Sequence, residues 1–352
     1  MNFGHIVSTK EKNMKTIKFT GGTFTALVTP FDKFGKVSWR RLEENIGFQV
    51  DQGITGLVPC GTTGESPTLT PEEHLHLIKR TVEIAAGQAF VLAGTGSNST
   101  AEALEYSEAA INHGANGILL VDPYYNKPSS RQMVENYYAP IIERMASLNP
   151  DAVVIPYIIP GRTGGQGLRP EYLAMLATEY SNVKGVKEAT GDAERASKIR
   201  KLIGPNFLIF SGDDCLTFDW MKNQKIKANG VISVMSNIVP KAIINMVKGL
   251  KASATPNQLD NSEIINTCLN ELFSCVGLTY YDKFFYGEAV DVYPNPCIIK
   301  ALMRILDIDS GVLRLPLGSL PNKSMKSLKR IIIDLKKRTN YLQPLIASYG
   351  LD

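Results

Sequence analysis

The chain has 352 residues, 44% of them hydrophobic and 20% charged, with a net charge of +4. That is ample apolar material for a large buried core, and it excludes a disordered or fibrous chain. No run of about 18 apolar residues marks a membrane span, and no basic block with interleaved aromatics marks a nucleic-acid surface.

Residues 1–20 form a polar tail without the apolar core of a signal peptide, and Met14 offers an alternative start. From Phe24 onward, short apolar runs alternate with helical periods. Phe24–Pro30 reads as the first strand, and Ser38–Gln52 as a helix with Leu42, Ile46 and Val50 on one face. Gly56–Gly61 is the second strand; Thr70-Pro-Glu-Glu73 then opens a helix with a capping box and a proline at its first position. Ala89–Gly94 is the third strand, and Ser99-Thr-Ala-Glu102 is a second capping box. Gly117–Asp122 is the fourth strand, with a helix from Arg131 to Ser147. Ala152–Pro160 is the fifth, with a helix from Arg169 to Tyr180.

The sixth strand opens at Asn182 and ends on Lys187, and the chain then turns at Thr190-Gly191 into a helix opened by Asp192. Phe207–Gly212 and Gly230–Val234 are the seventh and eighth strands, followed by helices at Phe218–Asn223 and Pro240–Leu250. The strands are apolar on both faces, as buried parallel strands are. Eight such strand–helix units predict a closed (β/α)8 TIM barrel over residues 21–252. An open doubly wound sheet would carry a glycine-rich turn after its first strand, where this chain has Thr29-Pro-Phe-Asp32. Residues 253–352 read as a C-terminal helical region, with helices at Thr255–Val276, Asn295–Leu306 and Lys323–Leu342. The basic stretch Lys323–Arg338 carries the apolar stripe Leu328, Ile331, Ile332 and Leu335, the pattern of a surface helix packed by one face.

Cys60, Cys215, Cys268, Cys275 and Cys297 are scattered, odd in number and without a Cys-x-x-Cys pair. Neither a disulfide framework nor a zinc site is expected, and a reducing cytoplasm fits. His74 and His76 lie two apart on a helix and face different sides, so they make a poor metal pair.

In such a barrel, chemistry sits on the loops after the strand C-termini. Those loops carry Gly61-Thr-Thr-Gly-Glu-Ser66, Asp122-Pro-Tyr-Tyr-Asn126, Tyr157-Ile-Ile-Pro-Gly-Arg-Thr-Gly164, Lys187-Glu188, Ser211-Gly-Asp-Asp214 and Ile232-Ser233. Hydroxyls, phenols, one lysine and one arginine converge on one rim, and no metal cluster does. A lysine ending a buried strand is costly: lowering its pKa from about 10.4 to about 7–8 takes roughly 3–4 kcal/mol. That cost is borne mainly where a free amine must attack a carbonyl. Taken singly, each residue has a plainer reading. Lys187 could be an exposed strand end, Tyr157 core packing, Thr62-Thr63 a turn, and Asp213-Asp214 a helix cap.

Together, Gly61-Thr-Thr-Gly-Glu65, Pro123-Tyr-Tyr-Asn126, Tyr157-x-x-Pro160, Gly185-Val-Lys-Glu188 and Ser211-Gly-Asp-Asp214 resemble the dihydrodipicolinate synthase / N-acetylneuraminate lyase family, the class I pyruvate-dependent aldolases. The resemblance runs from about residue 21 to residue 320 and includes Asn295-Pro-Cys-Ile-Ile-Lys300 and Leu313-Arg-Leu-Pro-Leu317. It implies that Lys187 forms an imine with pyruvate and that Tyr157 shuttles protons with Thr62 and Tyr125, the last from a neighbouring subunit. It implies Thr63 as a contact to the pyruvate carboxylate, with Gly212 and Ile232 as pocket wall. Arg162 in Pro160-Gly-Arg-Thr-Gly164 resembles the synthase branch, where it binds the carboxylate of aspartate semialdehyde, as a planar two-pronged donor suits. Ser66, His74, Asn98, Glu102 and Tyr124 resemble the family's lysine-feedback site, although Pro71 stands where some members have histidine.

The implied function is the condensation of pyruvate with aspartate semialdehyde, in lysine and diaminopimelate biosynthesis, by a cytoplasmic homotetramer of tight dimers without cofactor or metal. The alternatives are an aldolase of the same family for another aldehyde (a keto-sugar-acid or hydroxy-oxoglutarate) and a non-catalytic keto-acid-binding barrel. Two departures from the pattern stand out. Ile158-Ile159-Pro160 replaces the usual Asn-Val-Pro, and Thr279–Val292 and the chain beyond Pro321 are longer than the family usually carries.

Overall fold

The computed structural model describes residues 17–350 apart from Gln166, Ala252 and the side chain of Asp282; Met14 and residues 1–16 of the expected tail lie outside them. Eight parallel strands close into a barrel in sequence order. They are β1 (Thr23–Ala26), β2 (Gly56–Val58), β3 (Phe90–Gly94), β4 (Gly117–Val121), β5 (Val153–Ile158), β6 (Gly185–Glu188), β7 (Leu208–Ser211) and β8 (Gly230–Ser233). The ring is closed at β1, where Phe24 lies opposite Gly56 on one side and Ile232 on the other. The (β/α)8 architecture is the expected one.

The strands separate two cores by their period of two. Val153, Ile155 and Tyr157 of β5 point into the barrel with Phe24, Phe90, Phe210 and Ile232. Val154 and Ile158 point outward, into the layer between barrel and helices. Ile158 is fully buried there, so the departure from the family's asparagine falls on a packing position behind the barrel wall. The expected tail does not end free: Phe19 packs edge-on or tilted against the inward rings of Phe24, Phe90 and Phe210, at centroid distances of 5.9, 5.0 and 5.6 Å.

The helices between strands are α1 (Trp39–Asp51), α2 (Pro71–Ala85), α3 (Thr100–Asn112), α4 (Ala139–Leu148), α5 (Pro170–Glu179), α6 (Ala193–Ile203), α7 (Asp214–Lys222) and α8 (Pro240–Gly249). Thr70 and Glu73 form the expected capping box of α2. At α3 only half of the second box forms. Ser99 Oγ accepts the Glu102 N–H at 3.4 Å, but the Glu102 carboxylate turns instead to the hydroxyls of Ser97 and Tyr106. The helix expected over Arg131–Ser147 is interrupted: a short turn at Ser130–Met133 and a wide π segment at Val134–Tyr138 precede α4. Both π-segment tyrosines reach the end of β4, Tyr137 donating to the Val121 carbonyl at 3.0 Å and Tyr138 to Asp122 Oδ1 at 2.5 Å.

The C-terminal region contains α9 (Pro256–Phe273), α10 (Cys297–Ile305), α11 (Asn322–Arg338) and α12 (Gln343–Tyr349). It is not wholly helical. An antiparallel hairpin of β9 (Thr279–Phe284) and β10 (Gly287–Val292) interrupts it, with Tyr281, Phe284, Phe285 and Tyr286 exposed. The longer Tyr- and Phe-rich segment is therefore strand, as its β-branched and aromatic content favours. The buried face of α11 carries Leu328, Ile332 and Leu335, three of the four residues of the expected stripe, and Ile331 packs alongside them.

Candidate active site

Lys187 sits on β6 at the register position opposite Tyr157 of β5. It is 6% exposed, and its Nζ lies 3.9 Å from the centroid of the Tyr157 ring. The strand period puts Val186 and Glu188 on the outer face and the lysine inside. Glu188, fully buried, is held by Arg195 Nε at 3.1 Å and by the Thr190 N–H at 3.1 Å. Burial raises the Glu188 carboxyl, and the Arg195 cation opposes this. Asp213, after β7, is raised by burial and drawn down by Lys187, so the amine has a nearby carboxylate counter-charge.

The Tyr157 hydroxyl meets Thr62 Oγ1 at 3.4 Å. Both line a cavity of about 300 Å³ over the barrel mouth, with Ser66, Tyr124, Arg162 and Asn295. Lys187 is not among the residues that line it, its amine being packed on the Tyr157 ring. Arg162, which lines the cavity, donates from Nη2 to the Asn295 carbonyl at 2.6 Å. Thr63 is 2% exposed, and its Oγ1 accepts from Asn295 Nδ2 at 2.9 Å.

The remaining expected residues fall in three places. Gly212 is hemmed in: a Cβ there would come within 2.3 Å of the Ala189 Cβ. Ile232 is fully buried inside the barrel. Both therefore shape the barrel wall below the cavity. Tyr125 is 82% exposed, and its N–H and that of Tyr124 donate to Asn98 Oδ1 at 2.8 and 2.7 Å. It is not among the residues that line the cavity.

Ser66, His74, Asn98, Glu102 and Tyr124 come together beside the cavity. Ser66 Oγ and His74 Nδ1 are 3.4 Å apart, and His74 Nε2 meets the Gly94 carbonyl at 2.8 Å. Burial holds His74 below the usual histidine range. Its ring stacks on Tyr106, whose hydroxyl donates to Glu102 at 3.4 Å. Glu102 also helps to raise the Tyr124 phenol, after burial. His76, by contrast, stacks on Trp39. Asp213 stands at the N-cap of α7 without a side-chain cap hydrogen bond, and Asp214 accepts from Ser233 Oγ and from the Val234 and Met235 N–H groups, tying α7 to the end of β8.

Sequence reasoning missed the link that Asn295 makes between Thr63 and Arg162. Its signal was present, because Asn295 opens a segment that resembles the family, but the hydrogen bond spans 232 positions in the chain. Asp122 likewise reads in the sequence only as part of a loop. It is 1% exposed, accepts from Tyr138 and from the Leu168 N–H at 2.9 Å, and burial pushes its pKa up to about 6.

Comparison with known proteins agrees with this geometry. The family model described as "Dihydrodipicolinate synthetase family" matches residues 19–335. A 4-hydroxy-tetrahydrodipicolinate synthase from Cyanothece sp. is 38% identical over 315 residues, covering 90% of this chain and 98% of the relative. The crystal structure of DHDPS from Cyanidioschyzon merolae with lysine bound superimposes with a TM-score of 0.77 at 32% identity, covering 90% of this chain and 98% of that one. The chloride-inhibited dihydrodipicolinate synthase from Acinetobacter baumannii, complexed with pyruvate, gives 0.75 at 30% identity, with 90% and 99% covered.

Proposed function

The chain belongs to the dihydrodipicolinate synthetase family, and from that premise we propose how its residues carry out the 4-hydroxy-tetrahydrodipicolinate synthase reaction, a lyase activity that condenses pyruvate with L-aspartate-4-semialdehyde. The observation that supports the roles is the buried Lys187 amine packed on the ring of Tyr157, whose hydroxyl meets Thr62 under a cavity edged by Arg162. The amine attacks the pyruvate ketone, water leaves, and the imine draws electrons from the adjacent methyl group to give an enamine. The enamine carbon bonds to the aldehyde carbon of the second substrate. That substrate's own amine then attacks the imine carbon, closes the ring and releases Lys187.

Each step moves a proton, and a phenol with a pKa near 10 is a poor base alone. Thr62 gives Tyr157 a relay partner. Thr63 and the Asn295 amide would receive the pyruvate carboxylate, and Arg162 the carboxylate of the semialdehyde. Gly212 and Ile232 set the shape of the space below.

Tyr125 would complete the relay of a second copy, since it is exposed and does not line its own cavity, and assembly as a tetramer of tight dimers follows from that reading. Light scattering on the active protein tests it, because a fully active monomer has no place for Tyr125. Residence in a reducing cytoplasm is supported by the five free thiols. The patch of Ser66, His74, Asn98, Glu102 and Tyr124 would take free lysine as a feedback inhibitor. The experiment for the central reading is borohydride reduction in the presence of pyruvate, followed by peptide mass mapping. An adduct on Lys187 is expected, and an unlabelled Lys187 would remove the mechanism.

A further inference from the structure

The loop from Gly61 to Thr70 brings Thr62 to the cavity, with Thr63 buried beside it, and the C-terminal region grips that loop. Glu65 is 2% exposed and has φ of +55°. Its Oε1 accepts from Lys300 Nζ at 2.6 Å, and its Oε2 accepts from the Arg314 N–H at 3.0 Å. Lys300, on α10, is fully buried, with its Nζ 4.1 Å from the centroid of the Phe31 ring. The Arg314 guanidinium continues to both oxygens of Glu73, at 2.5 and 2.6 Å, and to the carbonyls of Thr68 and Gly35. Asp309, also buried, bears on Lys300 electrostatically; its Oδ1 accepts the Gly311 N–H at 2.7 Å, while Oδ2 has no hydrogen-bond partner among the described residues.

A fully desolvated ion pair is a poor means of gaining stability. Stripping water from each ion costs several kcal/mol, and a well-packed apolar pair often does as well or better. What the pair does supply is direction. Glu65 is fixed from two sides by two separate segments, in a left-handed backbone conformation that non-glycine residues rarely adopt. Its own N–H donates to the Thr62 carbonyl at 3.2 Å, and the Gly64 N–H donates to that of Gly61 at 3.1 Å. The Gly64 carbonyl in turn accepts from Thr29 Oγ1 at 2.7 Å. The chain of hydrogen bonds therefore runs from Lys300 through Glu65 to the backbone of Thr62, whose hydroxyl faces Tyr157.

We infer that Glu65 and Lys300 are positioning residues for the reaction: their buried pair, with Glu65 at the cavity wall, sets Thr62 at the reach of the Tyr157 hydroxyl and so governs proton transfer. The inference rests on the reading of Thr62 and Tyr157 as a proton relay. The Thr62–Tyr157 approach, at 3.4 Å, is near the outer limit of a hydrogen bond, so a small displacement of the loop breaks it.

The test is the double variant Glu65→Gln/Lys300→Met, which removes both charges of the pair together and leaves the buried Asp309 carboxyl without the Lys300 cation that opposes its burial; the methionine sulfur suits the face of Phe31. The expected result is a folded protein with a cooperative melt and borohydride trapping of pyruvate on Lys187 to the parent's final yield. Against this, kcat for condensation falls about tenfold or more while KM for pyruvate stays within about twofold, as loss of alignment predicts. A folded double variant with the parent kcat, or one whose loss lies in KM alone, overturns the inference. If the double variant does not fold, the isosteric Glu65→Gln is read in the same assays against the same criteria. Absence of the Lys187 adduct in the parent would overturn the reaction and this inference together. An adduct at parent level with unchanged kcat in the variant overturns the inference alone.

Discussion

Replacing Tyr157 with phenylalanine removes one oxygen from the site and nothing else. The ring remains, 4% exposed and packed among the inward residues of the barrel, and the Lys187 amine keeps its seat on the ring face at 3.9 Å. What disappears with the oxygen is the 3.4 Å hydrogen bond to Thr62 Oγ1. A hydrogen bond that long is worth little to folding, so stability should change by less than about 1 kcal/mol. In a protein of this size that is a shift of no more than about 1–2 °C in thermal midpoint. The catalytic loss is on another scale. A positioned acid–base group contributes about 100- to 10,000-fold, or about 2.7–5.4 kcal/mol in the barrier. A coupled assay with both substrates, run beside a thermal melt, separates the two effects. The expected result is a native melt with kcat reduced at least about 100-fold and a slowly formed but trappable adduct on Lys187. If Tyr157→Phe keeps more than about a third of the parent kcat, the phenol carries no essential proton, and the relay assigned to Tyr157 and Thr62 is wrong.

Three further outcomes follow from other parts of the structure. Arg162→Ala should raise KM for aspartate semialdehyde about tenfold or more and leave KM for pyruvate nearly unchanged, since a hydrogen bond to a charged group is worth about 1.5–3 kcal/mol; initial rates with each substrate varied in turn decide it. Burial raises Asp122 from 3.8 to about 6, so the folded state holds a proton there that the unfolded chain has already released. Its contribution is therefore most favourable at low pH, and stability is lost as pH rises from about 4 to about 6, by up to about 3 kcal/mol. Urea unfolding at fixed protein concentration should show this slope in the parent and its absence in Asp122→Asn, and identical slopes would refute it. Restoring the family's residue with Ile158→Asn should cost about 2–4 kcal/mol, because apolar packing is given up and an amide is left unpaired in a dry layer; the same urea measurement checks it.

The closed barrel was readable because each of its strands is a short apolar run ahead of a helical period. The same feature concealed the sidedness of the strands. In Val153–Ile158 every residue is buried, so composition alone does not say that Tyr157 faces the barrel and Ile158 the helices. Only the pairing with Lys187 across the neighbouring strand decides it. The rim residues were legible as ordered motifs, yet their mutual hydrogen bonds were not. Thr62 and Tyr157 lie 95 positions apart, and Glu65 and Lys300 lie 235 apart, and no local pattern encodes such pairs. The hairpin was hidden for a different reason: its turn is Phe285-Tyr286, without the Asn-Gly or Asp-Gly signal of a tight reversal. The interruption of the fourth helix had no local warning either. It depends on where two consecutive tyrosines find partners on β4.

The aromatic rings gathered around Phe19 give the barrel a stopper at the end opposite the chemistry. The interior beneath the site is packed side chain rather than channel, and the residues just ahead of the first strand belong to that packing. Shortening the chain past Phe19 should therefore bare the rings of Phe24, Phe90 and Phe210 at the foot of the barrel.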